Sequence, residues 1–320
     1  GTKVANYAKV SSFIKNNGSI QGVTVSDLLS GNEHKFTASI TINCAGPWAD
    51  IVLNSASNKA AENHQVRRSE GIHIITKKMV NSHAVTVMTK SGRHLMIIPW
   101  RDHMLVGTTD KEYNGTPDEY KVSKESIQGL VNDLNENFGC GPIAYDDVLF
   151  AYGGLRPLVD DQTEGSYETS RKYEIFDNEK DGLNGLLTIE GGKYTTSRKL
   201  ACAAMKVVEK KLNRKLKKSI TNKQFLTGCE IDDMPKFLSS LEQKYSEFSP
   251  QTLDYLGRNY GNECHRVLEI AKSDERLKQV VSHDGEILAE VVYAVKNELA
   301  QSLRDVLFHR TGIGTLGYPG

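Results

Sequence analysis

Apolar and polar positions in the first fifty residues alternate in short runs. Val4–Ile14, Gly22–Leu28 and Lys35–Cys44 carry β-branched residues at strand spacing, and Asn16-Asn17-Gly18 and Ser30-Gly31-Asn32 break them with turn chemistry. The pattern predicts a β-meander feeding a final strand, Ala38–Asn43, that stops at Ala45-Gly46-Pro47-Trp48. A helix is expected from Ala49 to Ala61. Further strands are expected at Gly71–Thr76, Ala84–Thr89, Leu95–Pro99, His103–Thr108, Asp147–Tyr152, Tyr173–Phe176 and Leu186–Ile189, with one helix near Ser123–Phe138. The last strand runs through Gly191-Gly192-Lys193-Tyr194-Thr195-Thr196-Ser197-Arg198 into a helix over Lys199–Leu212.

From Pro235 onward the period changes to that of helices: Phe237–Tyr245, Pro250–Tyr260, Glu263–Ala271 and Glu286–Leu307, with Asp284 as an N-cap and Pro250 in a first turn. A separate helical domain is expected after residue 215.

Forty basic and forty acidic side chains give zero formal charge, which argues against a nucleic-acid partner. No stretch approaches the roughly 18 uninterrupted apolar residues of a spanning helix. Five cysteines, at 44, 140, 202, 229 and 264, form no C-x-x-C pair and point to unpaired thiols in a reducing, cytoplasmic setting. Gly1-Thr2-Lys3-Val4 has neither an initiator Met nor a signal-peptide core, so the start reads as a cut end.

Four features carry candidate chemistry. The glycine turns at Cys44–Trp48 and Gly191–Thr196 each join a strand to a helix, where backbone N–H groups can face a ligand; an ordinary turn explains either one alone. Arg156, set among apolar and glycine neighbours, and Arg171 are candidate anion sites, with an ion pair to Asp160 or Asp161 as the alternative for Arg156. His73, in an alternating apolar strand, is a candidate general base or a hydrogen-bonded, half-buried side chain. The cations of Lys206–Lys218 fit either an anionic lipid surface or a solvated helix end. No P-loop, zinc-protease, nucleophile-elbow or N-terminal dinucleotide motif is present, and no metal is expected.

In order along the chain, Ile42–Asp50, Gly71–Ile74, Ile98–Asp102 with Val106–Asp110, Gly154–Leu158, Gly191–Lys199 and Leu303–Thr311 closely resemble the FAD-dependent, quinone-reducing glycerol-3-phosphate dehydrogenases. The resemblance implies an α/β + α architecture: a Rossmann-like FAD domain in two parts, 1–63 and 166–214, an inserted antiparallel-sheet substrate or cap domain, 64–165, and an α-helical carboxy-terminal domain, 215–320. It implies that the family's opening Rossmann strand–turn–helix, with the pyrophosphate glycines, lies outside this sequence. Carried onto matching positions, Ala45, Gly46 and Trp48 would form one FAD turn. Gly191, Gly192, Thr195 and Thr196 would lie against the isoalloxazine, and Lys193 would reach between flavin and substrate. Arg156 and Arg171 would hold sn-glycerol 3-phosphate, and His73 would face its secondary alcohol.

FAD is the implied cofactor and a quinone the implied acceptor. A peripheral contact with the inner face of a membrane and a homodimer are the further partners considered. A glycerol-3-phosphate oxidase using O2, and a non-catalytic fragment, are the alternatives.

Overall fold

The computed structural model describes residues 2–79, 83–90, 92–139, 142–159 and 173–316. The chain opens with an antiparallel meander of β1 (Ala8–Asn16), β2 (Ser19–Asp27) and β3 (Glu33–Thr37). Asn17 and Gly18 close the first hairpin at φ 46° and 76°, the left-handed values that a two-residue turn requires. After β3 the chain leaves the meander. The expected strand Ala38–Asn43 shortens to β4 (Thr41–Asn43), which runs parallel to a strand nearly 150 residues later, described below.

The helix expected from Ala49 to Ala61 is two helices, α1 (Ala49–Ala56) and α2 (Asn58–Asn63), because Ser57 adopts an extended backbone at φ −164° and ψ 121°. Leu53 and Ala56 of α1 pack with Phe13, Ile20 and Leu186 in a small apolar cluster under the meander.

A second sheet contains β5 (Arg67–Lys77), β6 (Val85–Met88), β7 (His94–Trp100), β8 (His103–Gly107) and β10 (Val148–Leu158), in the order β10-β5-β8-β7-β6; β9 (Lys111–Glu112) sits beside β5. Strand β10 runs six residues past the expected end at Tyr152, so Gly153, Gly154 and Arg156 are ladder positions and not a turn. Side chains alternate between faces. Ile72, Ile74, Leu95, Ile97, Met104 and Val106 pack on Leu130, Val131 and Leu134 of α3 (Lys124–Asn137), whose Ser123 cap accepts from the Ser126 N–H. The other face carries Gly71, His73, Gly107 and Tyr152.

The third sheet joins β11 (Tyr173–Asp177), β12 (Leu186–Gly191) and β4, with β12 antiparallel to β11 and parallel to β4. Helix α4 (Ser197–Lys211) follows β12. The carboxy-terminal unit consists of α5 (Met234–Lys244), α6 (Pro250–Tyr260), α7 (Cys264–Lys272), α8 (Ala289–Asn297) and a π-helical segment, Asp305–Arg310. Its core joins Leu241, Tyr245, Leu256, Leu268, Ile287 and Tyr293.

The single helix expected over Glu286–Leu307 does not form. Leu299 turns left-handed at φ 59°, and the Arg310 guanidinium donates to the Glu298 carbonyl at 2.9 and 2.7 Å, capturing an acceptor that a continuing helix would use. Asp284 caps nothing; α8 starts after Leu288, and Asp284 faces an arginine of the second sheet. The described residues thus form two antiparallel sheets, one mixed sheet and a helical carboxy-terminal unit.

Candidate active site

Both glycine turns leave the carboxyl ends of strands that are hydrogen-bonded neighbours. Strand β4 ends at Asn43 and β12 at Gly191, with Leu187 opposite Ile42 and Thr188 opposite Asn43 in parallel register. In a parallel pair the two following turns open on the same edge, where α/β sheets bind ligands. Gly46 (φ 56°), Gly191 (φ 70°) and Gly192 (φ 88°) adopt backbone conformations that side chains disfavour. The Asn43 side chain holds the first turn, donating to the Ala49 carbonyl at 2.9 Å and accepting from the Ala45 N–H. Trp48 donates through its indole N–H to Asp118 at 2.9 Å.

After the second turn, Lys193, Tyr194, Thr195 and Thr196 are all exposed, Tyr194 at 95%. The Thr196 hydroxyl donates to the Lys193 carbonyl, but no side chain caps the start of α4 and its first turn holds no acid. Its first N–H groups are therefore available to an acceptor. Glu190, just before the turn, is 3% exposed and its Oε1 has no hydrogen-bond partner among the described residues. Burial, reinforced by Asp50 and Glu174, pushes its carboxyl up to about 7.

Arg156 reaches the second sheet's open face. Its guanidinium donates to the Glu70 carbonyl (3.2 Å), the Thr108 hydroxyl (2.8 Å) and the Thr109 carbonyl (3.1 Å), with Asp110 at 3.8 Å. Asp160, Asp161 and Arg171 lie outside the described residues. Three of these four partners are uncharged, so much of the cation's charge remains available. Gly71 makes room for it: a Cβ there would stand 2.1 Å from Nη2.

His73 lies two residues further along β5, stacked on Tyr152 with ring centroids 5.5 Å apart. Gly107 passes beneath it, and a Cβ at that position would fall 2.3 Å from its Cδ2. Burial pulls the imidazole below its ordinary value, and the nearby Arg156 cation pulls the same way. A neutral ring near pH 7 follows.

The structure brings Arg156 and His73 together, and sets Gly46 against Pro157 of the same strand as Arg156, about 4.0 Å from a Cβ to the ring. It places Lys193 at the sheet edge, exposed. Sequence patterns did not single out Tyr152, Glu190 or the supporting glycines 71 and 107; these contacts join strands far apart in the chain.

Residues 219–318 match the family model described as the C-terminal domain of alpha-glycerophosphate oxidase. The aerobic glycerol-3-phosphate dehydrogenase of Staphylococcus haemolyticus is 30% identical over 98% of this chain, and that of Escherichia coli 27% identical over 98%. The chain spans 57% and 62% of those two proteins. The crystal structure of the glycerol-3-phosphate dehydrogenase from Bacillus halodurans complexed with FAD superimposes with a TM-score of 0.80 at 26% identity, over 96% of this chain and 60% of that one. Residues 1–198 match the model of the FAD dependent oxidoreductase family, and the chain belongs to that family.

Proposed function

We propose that the chain forms one side of the active site of an FAD-dependent glycerol-3-phosphate dehydrogenase. The observation that carries this is the pair of glycine turns opening on one edge of β4 and β12, beside the open sheet face that bears Arg156 and His73. The donor set fits a flavin: an uncapped helix start, glycine backbone that a cofactor can approach closely, and exposed residues from Lys193 to Thr196. Ala45, Gly46 and Trp48 would hold it on one turn, and Gly191, Gly192, Thr195 and Thr196 on the other. The remaining walls would come from a Rossmann segment such as the resemblance implies.

When bound, FAD supplies the hydride acceptor for oxidation of sn-glycerol 3-phosphate to dihydroxyacetone phosphate. Arg156 binds the phosphate, and Arg171 is assigned the same anion. Neutral His73 accepts the proton of the secondary hydroxyl at its ring nitrogen. Arg156 lies over Gly71 and His73 two residues on, a strand spacing of about 7 Å that suits a phosphate and an alcohol on a three-carbon backbone. Lys193 contributes positive charge beside the reacting oxygen.

Electrons leave to a quinone. Lys206, Lys210, Arg214, Lys215, Lys217 and Lys218 are exposed and suited to an anionic membrane surface, whereas Lys211 is committed to Asp177 (2.7 Å) and Glu179 (2.9 Å). Among the described residues no helix is long and apolar enough to cross a membrane.

The test is ultraviolet–visible titration of the protein with FAD, alone and joined to a family Rossmann segment, followed by anaerobic addition of substrate. Bleaching by sn-glycerol 3-phosphate but not by glycerol is expected. Equal bleaching by both sinks the phosphate assignment, and failure to bind FAD in either form sinks the site. Stoichiometric hydrogen peroxide without added quinone would replace the quinone by O2.

A further inference from the structure

The sheet face that carries His73 continues as a row of aromatic rings into the carboxy-terminal helices. Tyr152 stacks on His73 (5.5 Å, 16°), Phe150 lies 6.3 Å from Tyr152, and Phe308 stacks on Phe150 (5.9 Å, 25°). Phe150 and Tyr152 share one face of β10 by alternation, opposite Ile75 and His73. Phe308 comes from the π-helical segment Asp305–Arg310, whose widened turn is closed by the Thr311 N–H donating to the Val306 carbonyl at 2.9 Å. Such widened turns in helices concentrate at functional positions.

The ring is held from two sides. Arg101, at the tip of the β7–β8 hairpin, donates to the Thr311 carbonyl at 2.7 Å, just past the π turn. Gly314 lies under the phenyl ring, and a Cβ there would stand 2.7 Å from its Cε1 and Cζ. Phe308 nonetheless remains 39% exposed. An aromatic side chain serving only to fill the helical core would be buried with Tyr245, Leu256 and Leu268; this one points away from that cluster, onto the strand that bears Tyr152.

We propose that Phe308 is a positioning residue for the active site, setting the His73 imidazole through Phe150 and Tyr152, so that the helical domain forms the outer wall of the substrate face. Phe308 touches neither Arg156 nor His73; it acts by fixing the ring against which His73 stacks. This role rests on the assignment of His73 to the site, so the readout must be independent of turnover.

Ring protons of a stacked imidazole feel the ring current of their neighbour, which makes them a direct probe. In the full chain, the His73 imidazole resonances are identified by their disappearance in His73→Asn, and Tyr152→Leu records the shift when stacking is lost. Phe308→Ala is expected to move the His73 resonances in the same direction as Tyr152→Leu, and Phe308→Trp to leave them near their native positions. Gly314→Ala, which displaces the Phe308 ring without removing it, is a second probe and decides the matter if Phe308→Ala does not fold. Unchanged His73 resonances in a folded Phe308→Ala or Gly314→Ala protein would overturn the proposal. Its failure is distinct from failure of the dehydrogenase assignment, which would appear as absent substrate bleaching whatever the His73 resonances do.

Discussion

At the scale of single residues, two glycines shape the candidate site as firmly as the side chains they make room for. Gly71→Ala places a methyl group into the Arg156 guanidinium without altering any charge. In the flavin-loaded protein it should raise KM for the phosphorylated substrate roughly tenfold, equivalent to about 1.4 kcal/mol, with a smaller effect on kcat. Unchanged KM would show that Arg156 does not bind the phosphate. Gly107→Ala should act through His73 and lower kcat instead.

Glu190 gives a second residue-level prediction, one that needs no ligand. Its folded carboxyl sits at about 7, above the ordinary 4.5. Between those values the folded protein keeps a proton that the unfolded chain has released. Stability therefore falls as pH rises from 4.5 to about 7 and levels off above, by up to about 3 kcal/mol. Glu190→Gln should remove its share of this slope, leaving that of Glu290, whose carboxyl burial also pushes up to about 7, and stabilise the protein at pH 8 in urea titrations; a slope unchanged in the variant would assign it to other groups. His73 and Arg156 were candidates from local pattern and resemblance, and the fold brings the two side by side. Glu190 was not a candidate, because its cost arises from burial, reinforced by Asp50 and Glu174, and both come about only on folding.

At the scale of elements, local signals succeeded where one cap or turn decides the outcome. Pro250 was expected in a first turn, and it follows Ser249, whose hydroxyl accepts from the Thr252 N–H at 3.1 Å. Ser249→Ala should cost about 1 kcal/mol in denaturant unfolding, and a change below a few tenths would mean that water replaces the cap at no loss. Apolar period alone failed where distant groups intervene. Nothing near Glu298 announces that Arg310 will take its carbonyl, so Glu286–Leu307 read as one helix. The strand Val148–Leu158 was cut short at Tyr152 because Gly153-Gly154 reads as a turn, whereas its pairing with β5 carries the ladder through both glycines.

At the scale of the whole molecule, the second sheet and the helical domain are joined by a part-buried cation as well as by the Phe150–Phe308 stack. Arg101 occupies a left-handed position (φ 47°) in the two-residue β7–β8 turn, and its guanidinium enters the helical domain to bond Glu286 (2.5 Å), the Tyr255 hydroxyl (2.9 Å) and the Thr311 carbonyl (2.7 Å), with Asp284 at 3.7 Å. Glu286 is fully buried, Ser282 also bonds it, His283 lies 3.4 Å from Asp284, and Glu290 sits nearby with its carboxyl pushed up to about 7, chiefly by burial. One positive charge thus serves a cluster of carboxylates. Removing it by Arg101→Leu leaves Glu286 buried without its partner, a loss expected to cost about 3–5 kcal/mol.

The sign of the pH dependence separates this from a mere packing defect. Burial already holds the Asp284 carboxyl above its ordinary value and the Arg101 cation opposes that shift, so removing Arg101 adds a penalty that grows as pH climbs through the carboxylate range and is relieved at pH 5. Calorimetry of Arg101→Leu should accordingly show a helical-domain transition that separates from the rest at pH 8 and merges with it at pH 5. Glu286→Gln in the same background should restore most of the lost stability at pH 8. A penalty equal at both pH values would mean that Arg101 holds the domains by shape alone, and the neighbouring carboxylates would then have no part in the junction that carries Phe308 to the site.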